Sequence, residues 1–159
     1  ALDWDDVRRL RDMWPGKLVV KGIVHPEDAM AAAECGADGV IISNHGGRYL
    51  DASVAPIQVL PEIAKRVGGK IAVIMDSGVR RGSDVIKAVA LGADLVMAGR
   101  PTLYGVGAGG EVGADRALEI FHDEIDRVMA QLGLHSVEEV TPDCLWQPNS
   151  LPAMQLAAD

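Results

Sequence analysis

The chain has 159 residues, 48% of them hydrophobic, which is enough to bury one ordinary core and excludes general disorder. Its net charge of −8, without a basic run or an interleaved aromatic ladder, excludes the electrostatic capture on which nucleic acid or anionic lipid partners depend. Cys35 and Cys144 are too few and too isolated for a disulfide framework or a zinc site, and they fit a reducing compartment.

The chain opens on an amphipathic helix: Asp3 caps it, Trp4, Val7, Leu10, Arg11 and Trp14 recur at helical spacing, and Pro15-Gly16 stops it. It starts at Ala1 without a methionine, so processing or a fragment is expected, and no signal peptide or membrane-spanning run is visible. Leu18-Val19-Val20 reads as a strand leading into Lys21-Gly22, and Pro26-Glu27-Asp28 opens a helix whose alanines run to Cys35-Gly36. Gly39 to Ser43 follows as a strand, Ala55 to Val67 as a helix, Ile71 to Met75 as a strand, Ser83 to Leu91 as a helix and Leu95 to Ala98 as a strand. A long amphipathic helix is expected from about Val112 to Leu132. The chain divides into a folded part, residues 1–140, and a tail, Thr141 to Asp159, which with Pro142, Pro148 and Pro152 reads as an extended arm without its own core.

Strands alternating with helices, with nearly continuous apolar strands, imply a parallel sheet covered by helices on its outer face. An internal repeat sharpens this: Gly22-Ile23 recurs as Gly78-Val79, Asp28 as Asp84, Gly36-Ala37-Asp38 as Gly92-Ala93-Asp94 and Val40 as Val96, each pair 56 positions apart. One offset across strand, helix and strand means two βαβ units of the same geometry, as in a (β/α)₈ barrel. Such a barrel needs eight strands and about 250 residues, whereas this sequence carries four. The fold expected is therefore α/β, four β/α units forming the C-terminal half of a TIM barrel. Alone they would leave two unpaired edges and one bare sheet face, so a missing segment or a second copy should complete them.

The chemistry-bearing residues fall where strands end and loops begin, the catalytic rim of a barrel. Lys21 ends the first strand, and Ser43-Asn44-His45-Gly46-Gly47-Arg48 follows the second. Histidine takes a proton near neutral pH and guanidinium grips a carboxylate through two parallel hydrogen bonds, so His45 and Arg48 suit deprotonation of a small anionic substrate. Asp76-Ser77-Gly78-Val79-Arg80 ends the third strand and Gly99-Arg100 the fourth. Glycines let backbone N–H groups approach an anion, arginine adds charge, and the helix after each turn directs its positive end inward, which is a phosphate site. Arg81 should point differently from Arg80. Asp76 either caps the following turn or accepts hydrogen bonds from sugar-like hydroxyls. His25, His122 and His135 read as solvated. No His/Asp/Glu cluster has metal-ligand spacing, and Ser43 lacks a nucleophile-elbow context, so neither a metal site nor a serine hydrolase is expected.

With Val20-Lys21-Gly22, Ser43-Asn44-His45-Gly46-Gly47-Arg48, Asp76-Ser77-Gly78-Val79-Arg80-Arg81-Gly82 and Gly99-Arg100-Pro101 in this order, the chain resembles the FMN-dependent α-hydroxy acid oxidases and dehydrogenases. This is the glycolate oxidase, lactate dehydrogenase and mandelate dehydrogenase group. The resemblance covers Leu2 to Leu145, and the Arg-Gly-Ser-Asp and Gly-Arg-Pro-Thr-Leu-Tyr-Gly stretches sit nearest the mandelate type. It implies oxidation of an (S)-2-hydroxy acid to the 2-oxo acid with FMN as cofactor. Lys21 would lie at the flavin N1/O2 edge, His45 would be the base and Arg48 would hold the substrate carboxylate. Asp76 would meet the ribityl hydroxyls, with Ser77, Gly78, Val79, Arg80, Gly99 and Arg100 toward the phosphate end and Ser43 against the flavin.

The resemblance also implies what lies elsewhere. Residues of the first four barrel strands, among them the aspartate that orients the catalytic histidine and a second carboxylate-binding arginine, match nothing in this chain. The break is expected in a long loop after the fourth strand, near Ala1. The resemblance further implies a homo-oligomer, a tetramer, in the cytoplasm, with any membrane association carried by a segment outside this chain. Two other readings stand beside this one: another FMN- or phosphate-binding barrel enzyme such as an isomerase, which would share the Gly99-Arg100 phosphate site without needing His45 and Arg48, and a half-barrel that binds FMN or phosphate or self-associates without turnover.

Overall fold

The computed structural model describes residues 2–146. Helix α1 (Trp4–Met13) begins on a reciprocal cap, in which the Asp3 carboxylate accepts the N–H groups of Asp5 and Asp6 and the Asp6 carboxylate accepts that of Asp3. Strand β1 (Val19–Ile23), helix α2 (Pro26–Glu34), strand β2 (Gly39–Ile42), helix α3 (Pro56–Val67), strand β3 (Ala72–Met75), helix α4 (Gly82–Ala90) and strand β4 (Leu95–Val96) follow. Most boundaries fall within one residue of those expected from sequence, and β4 is two residues shorter. His25 is exposed, as are His122 and His135, but it also caps α2, its Nδ1 accepting the Glu27 N–H at 3.2 Å.

The four strands lie in chain order and every pair is parallel. Because side chains alternate across a strand, the register sorts them into rows. Val20, Val40 and Val73 form one row and Ile23, Ile42, Met75 and Val96 another, and both lie against the helices in the main core with Leu60, Ile63 and Val67 of α3. Val40, Ile42, Leu60, Ile63 and Val73 have no exposed surface, and each such side chain contributes about 1.5–3 kcal/mol of hydrophobic stabilisation. The alternate row, Lys21, Ile41, Ile74 and Leu95, faces the other way onto an uncovered face where Leu95 is 60% exposed. One face dry and one bare, with β1 and β4 unpaired at the edges, is the geometry of half a barrel.

The long final helix starts earlier than its apolar pattern suggests. Helical backbone runs from Arg100 to Leu132 (α5), broken at Gly109 and Gly110, where φ/ψ leave the helical region. The two segments fold back on each other at Gly105 and Gly113, whose backbones touch where any side chain would collide. Glycines that dilute helix propensity here permit that hairpin. A second cluster, Ile86, Ala90 and Val140 with Leu134 and Leu145, seals α4 against α5. Of the tail from Thr141, Pro142–Cys144 makes one 3₁₀ turn and Leu145 packs on that second cluster. Residues 147–159, with Pro148 and Pro152, lie outside the described residues.

Candidate active site

All four strands deliver their loops to one rim, and ten of the eleven residues singled out from sequence line a single cavity of about 820 Å³: Lys21, His45, Arg48, Asp76, Ser77, Gly78, Val79, Arg80, Gly99 and Arg100. The eleventh, Ser43, is 1% exposed and lies beneath it. A smaller cavity of about 460 Å³ adjoins, with Gly78, Arg80, Lys87 and Arg100 in its wall.

At the floor, Lys21 projects from the open face of β1 and its Nζ lies 2.8 Å from both Asp76 Oδ2 and Ser43 Oγ. The Ser77 hydroxyl donates to Asp76 Oδ1 at 2.7 Å. Burial raises the Asp76 carboxyl, but hydrogen bonds from Lys21, Ser43 and Ser77 outweigh it and hold the group below its ordinary value. Asp76 is thus an anion paired with the lysine at the cavity floor. Asp84, not Asp76, caps the turn that follows: its Oδ2 accepts the N–H groups of Arg80 and Arg81.

The loop after β2 tightens at once into a 3₁₀ turn, His45–Gly47. His45 itself has φ of 56°, and the two glycines after it have 69° and 73°, so three successive residues occupy the left-handed region. The His45 N–H donates to Ser43 Oγ at 3.1 Å and the Gly46 N–H to Ser77 Oγ at 3.0 Å. The His45 imidazole lies over Gly22, where a Cβ would sit 3.1 Å from Nε2, and meets the Tyr49 ring edge-on at 5.2 Å. Gly46 leaves room for Arg100, whose guanidinium donates to the Gly46 carbonyl. Arg48 is exposed beside the same cavity.

The two helix N-termini at this rim differ from each other. At α4 the Asp84 contacts are joined by Glu124 Oε2, which accepts the Gly82 N–H at 2.8 Å. These protein carboxylates take the Arg80, Arg81 and Gly82 amides at the start of α4, which leaves the Ser83 amide without an acceptor among the described residues. Glu124 also binds Arg81 at 2.7 Å through Nε, and Arg81 first and Gly82 second hold its carboxyl below the ordinary value. Arg81 therefore leaves the cavity while Arg80 lines it, in agreement with the sequence pattern. The N-terminus of α5 behaves otherwise: Gly99 supplies no side-chain cap, and the N–H groups of Gly78, Val79, Gly99 and Arg100 find no acceptor among the described residues. Open amides, with Arg80 and Arg100 beside them, are the donor set an anionic phosphate needs.

Sequence reasoning misses the wall opposite Lys21, which is built from Tyr49, Met97, Pro101, Leu103 and Tyr104. Met97, Leu103 and Tyr104 are 44%, 64% and 70% exposed, an apolar surface without a local covering. In the sequence Leu103-Tyr104 stands out only within a family-like string, although two large apolar residues immediately after a glycine-arginine turn already point to the rim.

Among the described residues no group of His, Cys, Asp and Glu has the arrangement to hold a metal ion. Among the described residues no helix is long and apolar enough to cross a membrane.

Comparison with known proteins identifies the fold and the lineage. The profile of the FMN-dependent dehydrogenases matches residues 1–147. The chain is 48% identical over 145 residues to (S)-mandelate dehydrogenase of Pseudomonas putida, covering 91% of this chain and 36% of that protein. It is 42% identical over 151 residues to L-lactate dehydrogenase of Bartonella quintana, covering 95% of this chain and 39% of that protein. The crystal structure of the monotopic membrane protein (S)-mandelate dehydrogenase superimposes with a TM-score of 0.88 at 48% identity, over 91% of this chain and 38% of the other. A mandelate oxidase structure superimposes with a TM-score of 0.84 at 40% identity, over 89% and 43%. The chain thus spans less than half the length of the relatives it matches, and over that span it belongs to the FMN-dependent dehydrogenase family.

Proposed function

We propose that this chain carries the cofactor-phosphate and base-bearing half of an enzyme that oxidises an (S)-2-hydroxy acid, mandelate- or lactate-like, to the 2-oxo acid. The observation that carries the reading is the convergence of Lys21, His45, Arg48, Asp76 and Arg100 on one cavity of about 820 Å³. The residues present fit FMN: the open amides of Gly78, Val79, Gly99 and Arg100 with Arg80 and Arg100 suit its phosphate, Asp76 and Ser77 its ribityl hydroxyls, and Lys21 with Ser43 its ring. When bound, FMN supplies a two-electron acceptor.

The rest is the work of this chain's side chains. Arg48 holds the substrate carboxylate by paired charge-assisted hydrogen bonds, which fixes the hydroxyl-bearing carbon within reach of His45. His45 takes a proton from the substrate, at the hydroxyl oxygen if hydride leaves Cα or at Cα itself in a carbanion route, and its charge then faces a site already holding Lys21. The Lys21 ammonium is held at the floor by its pairing with Asp76, so a cation is in place before electrons arrive. Tyr49, Met97, Leu103 and Tyr104 exclude water and meet the substrate side chain or the cofactor ring.

The relatives named as mandelate and lactate dehydrogenases support the reaction class. The bare sheet face and its two edges call for a second half-barrel, an N-terminal polypeptide or another copy, within a homo-oligomer. We place the assembly in the cytoplasm, with any membrane contact made through a different segment. The His45 imidazole makes no hydrogen bond among the described residues. An unoriented base implies that the chain alone binds FMN but turns over poorly.

Reconstitution with FMN tests this. A yellow protein whose flavin bleaches anaerobically with (S)-mandelate or (S)-lactate once the barrel is complete is the expected result. A colourless protein that takes up no FMN in either form would overturn it.

A further inference from the structure

Among the described residues, His45 and Ser77 are the non-glycine residues with positive φ, at 56° and 70°, and the Ser77 hydroxyl meets the Gly46 amide directly after His45. Left-handed backbone is disfavoured for a residue with a Cβ, so it persists where neighbouring bonds over-determine it. The bonds in question are visible. The Ser77 hydroxyl donates its one proton to Asp76 Oδ1 at 2.7 Å and accepts the Gly46 N–H at 3.0 Å, with Ser43 Oγ 3.5 Å away. Ser43 makes the matching arrangement one residue earlier, accepting the His45 N–H at 3.1 Å and Lys21 Nζ at 2.8 Å.

The two peptide units that flank the His45 Cα are therefore each held by a serine hydroxyl, the second of them shared with Asn44, whose Oδ1 also accepts the Gly46 N–H at 3.0 Å. A peptide unit is planar, so fixing both neighbours of a Cα fixes its φ and ψ together. Both hydroxyls in turn bond the Lys21–Asp76 pair. We propose that Ser77 is a positioning residue: together with Asn44 its hydroxyl locks the His45 turn in its left-handed form, and it ties the backbone that carries the base to the Lys21–Asp76 pair at the cavity floor, leaving the imidazole ring itself to be oriented from outside this chain. Glycine would adopt this backbone without strain but brings no oxygen, so the hydroxyl is what a serine adds here.

This rests on the reading of His45 as the base, and the test separates the two. Ser77→Gly and Ser77→Ala are compared with the parent in the FMN-loaded protein by melting, by hydrogen–deuterium exchange of the segment carrying Gly46, and by kcat and KM. Ser77→Gly relieves the strained backbone while removing the oxygen, so it should melt no lower than the parent while the Gly46 amide exchanges about two- to fivefold faster, as loss of one of its two acceptors with Asn44 Oδ1 retained implies. The kcat for the 2-hydroxy acid should fall about tenfold or more with KM nearly unchanged, because base placement and not carboxylate binding is disturbed. Ser77→Ala keeps the strain without the oxygen and should show the same exchange and kcat changes with a lower melting point. Unchanged exchange at Gly46 in both variants, or a kcat that falls only in step with stability, would overturn the proposal. If the parent itself oxidises no 2-hydroxy acid, the functional reading fails, and the exchange result alone still decides whether Ser77 holds the turn.

Discussion

At their helix-to-strand turns the two units β1-α2-β2 and β3-α4-β4 are built alike. Asp38 donates its N–H to Leu18 O and accepts the Leu18 N–H on its carboxylate, at 2.8 and 2.9 Å; Asp94 does the same with Val73, both at 2.8 Å. Gly36 and Gly92 end the helices before them with φ of 79° and 103°. At the opposite rim the units part company: Lys21-Gly22 stands where the other has Ser77-Gly78, and Asn44 where the other has Arg100. Equivalent scaffold positions keep one chemistry because they play one structural role. Rim positions carry different chemistry, as the proposed reading requires of residues that would face different parts of one ligand.

The largest effect should come from the rim. His45→Ala is expected to lower kcat about 10²- to 10⁴-fold, the range for loss of a general base, with FMN affinity and melting temperature close to the parent. Arg48→Met should instead raise KM about tenfold to a hundredfold, the value of a charge-assisted hydrogen-bonded pair, with a smaller change in kcat. Stopped-flow flavin reduction against substrate concentration separates the two. Equal losses in kcat and KM for both variants would break the assignment of distinct roles.

A paired substitution tests the comparison directly. Gly22 and Gly78 are equivalent in the repeat and both have positive φ, 102° and 81°, so alanine strains either backbone by about 1–2 kcal/mol. Their surroundings differ: a Cβ at Gly22 would sit 3.1 Å from His45 Nε2, whereas one at Gly78 meets no protein atom within 4 Å and projects into space we assign to the cofactor phosphate. Gly22→Ala should therefore depress kcat with FMN binding intact, and Gly78→Ala should weaken FMN binding with the base undisturbed. FMN titration and kcat measured on both variants give the answer, and identical profiles would show that strain alone is being read.

How much of this is legible in the sequence depends on distance along the chain. The strands announce themselves through Val19-Val20, Val40-Ile41-Ile42 and Ala72-Val73-Ile74, and the rim through glycines set beside Lys21, His45, Asp76 and Arg100. The expected 56-residue offset is exact for Asp38 and Asp94 but becomes 55 for their strand partners, Leu18 and Val73. The break in register between Lys21 and Ile23 absorbs the difference, and no periodicity reports it. Helix from Arg100 onward is hidden because Gly105, Gly107, Gly109 and Gly110 erase the local signal, and its reason, the Gly105–Gly113 contact, is tertiary. The Glu124 contact at the start of α4 is hidden likewise, since Glu124 lies 42 residues from the Gly82 amide it accepts.

The smallest effect probes where the scaffold copies differ. Asp38, unlike Asp94, carries two cations on its carboxylate, Lys17 at 2.7 Å and Arg11 at 2.9 Å. The Lys17 hydrogen bond first, then the Leu18 N–H and Arg11, lowers its pKa from 3.8 to about 2 despite an opposing desolvation. A carboxylate whose pKa is depressed on folding stabilises the fold above its unfolded value, and that contribution fades as pH falls through the folded value. Asp38→Asn keeps an oxygen for the Leu18 N–H but forfeits the charge. Its urea midpoint should therefore lie modestly below the parent's at neutral pH, and the gap should close between 3.8 and about 2. Lys17→Met should reproduce part of the gap, because the first cause of the shift is removed while Arg11 remains. A gap that stays constant through the acid range would mean that Asp38, like Asp94, works at its turn through hydrogen bonding alone.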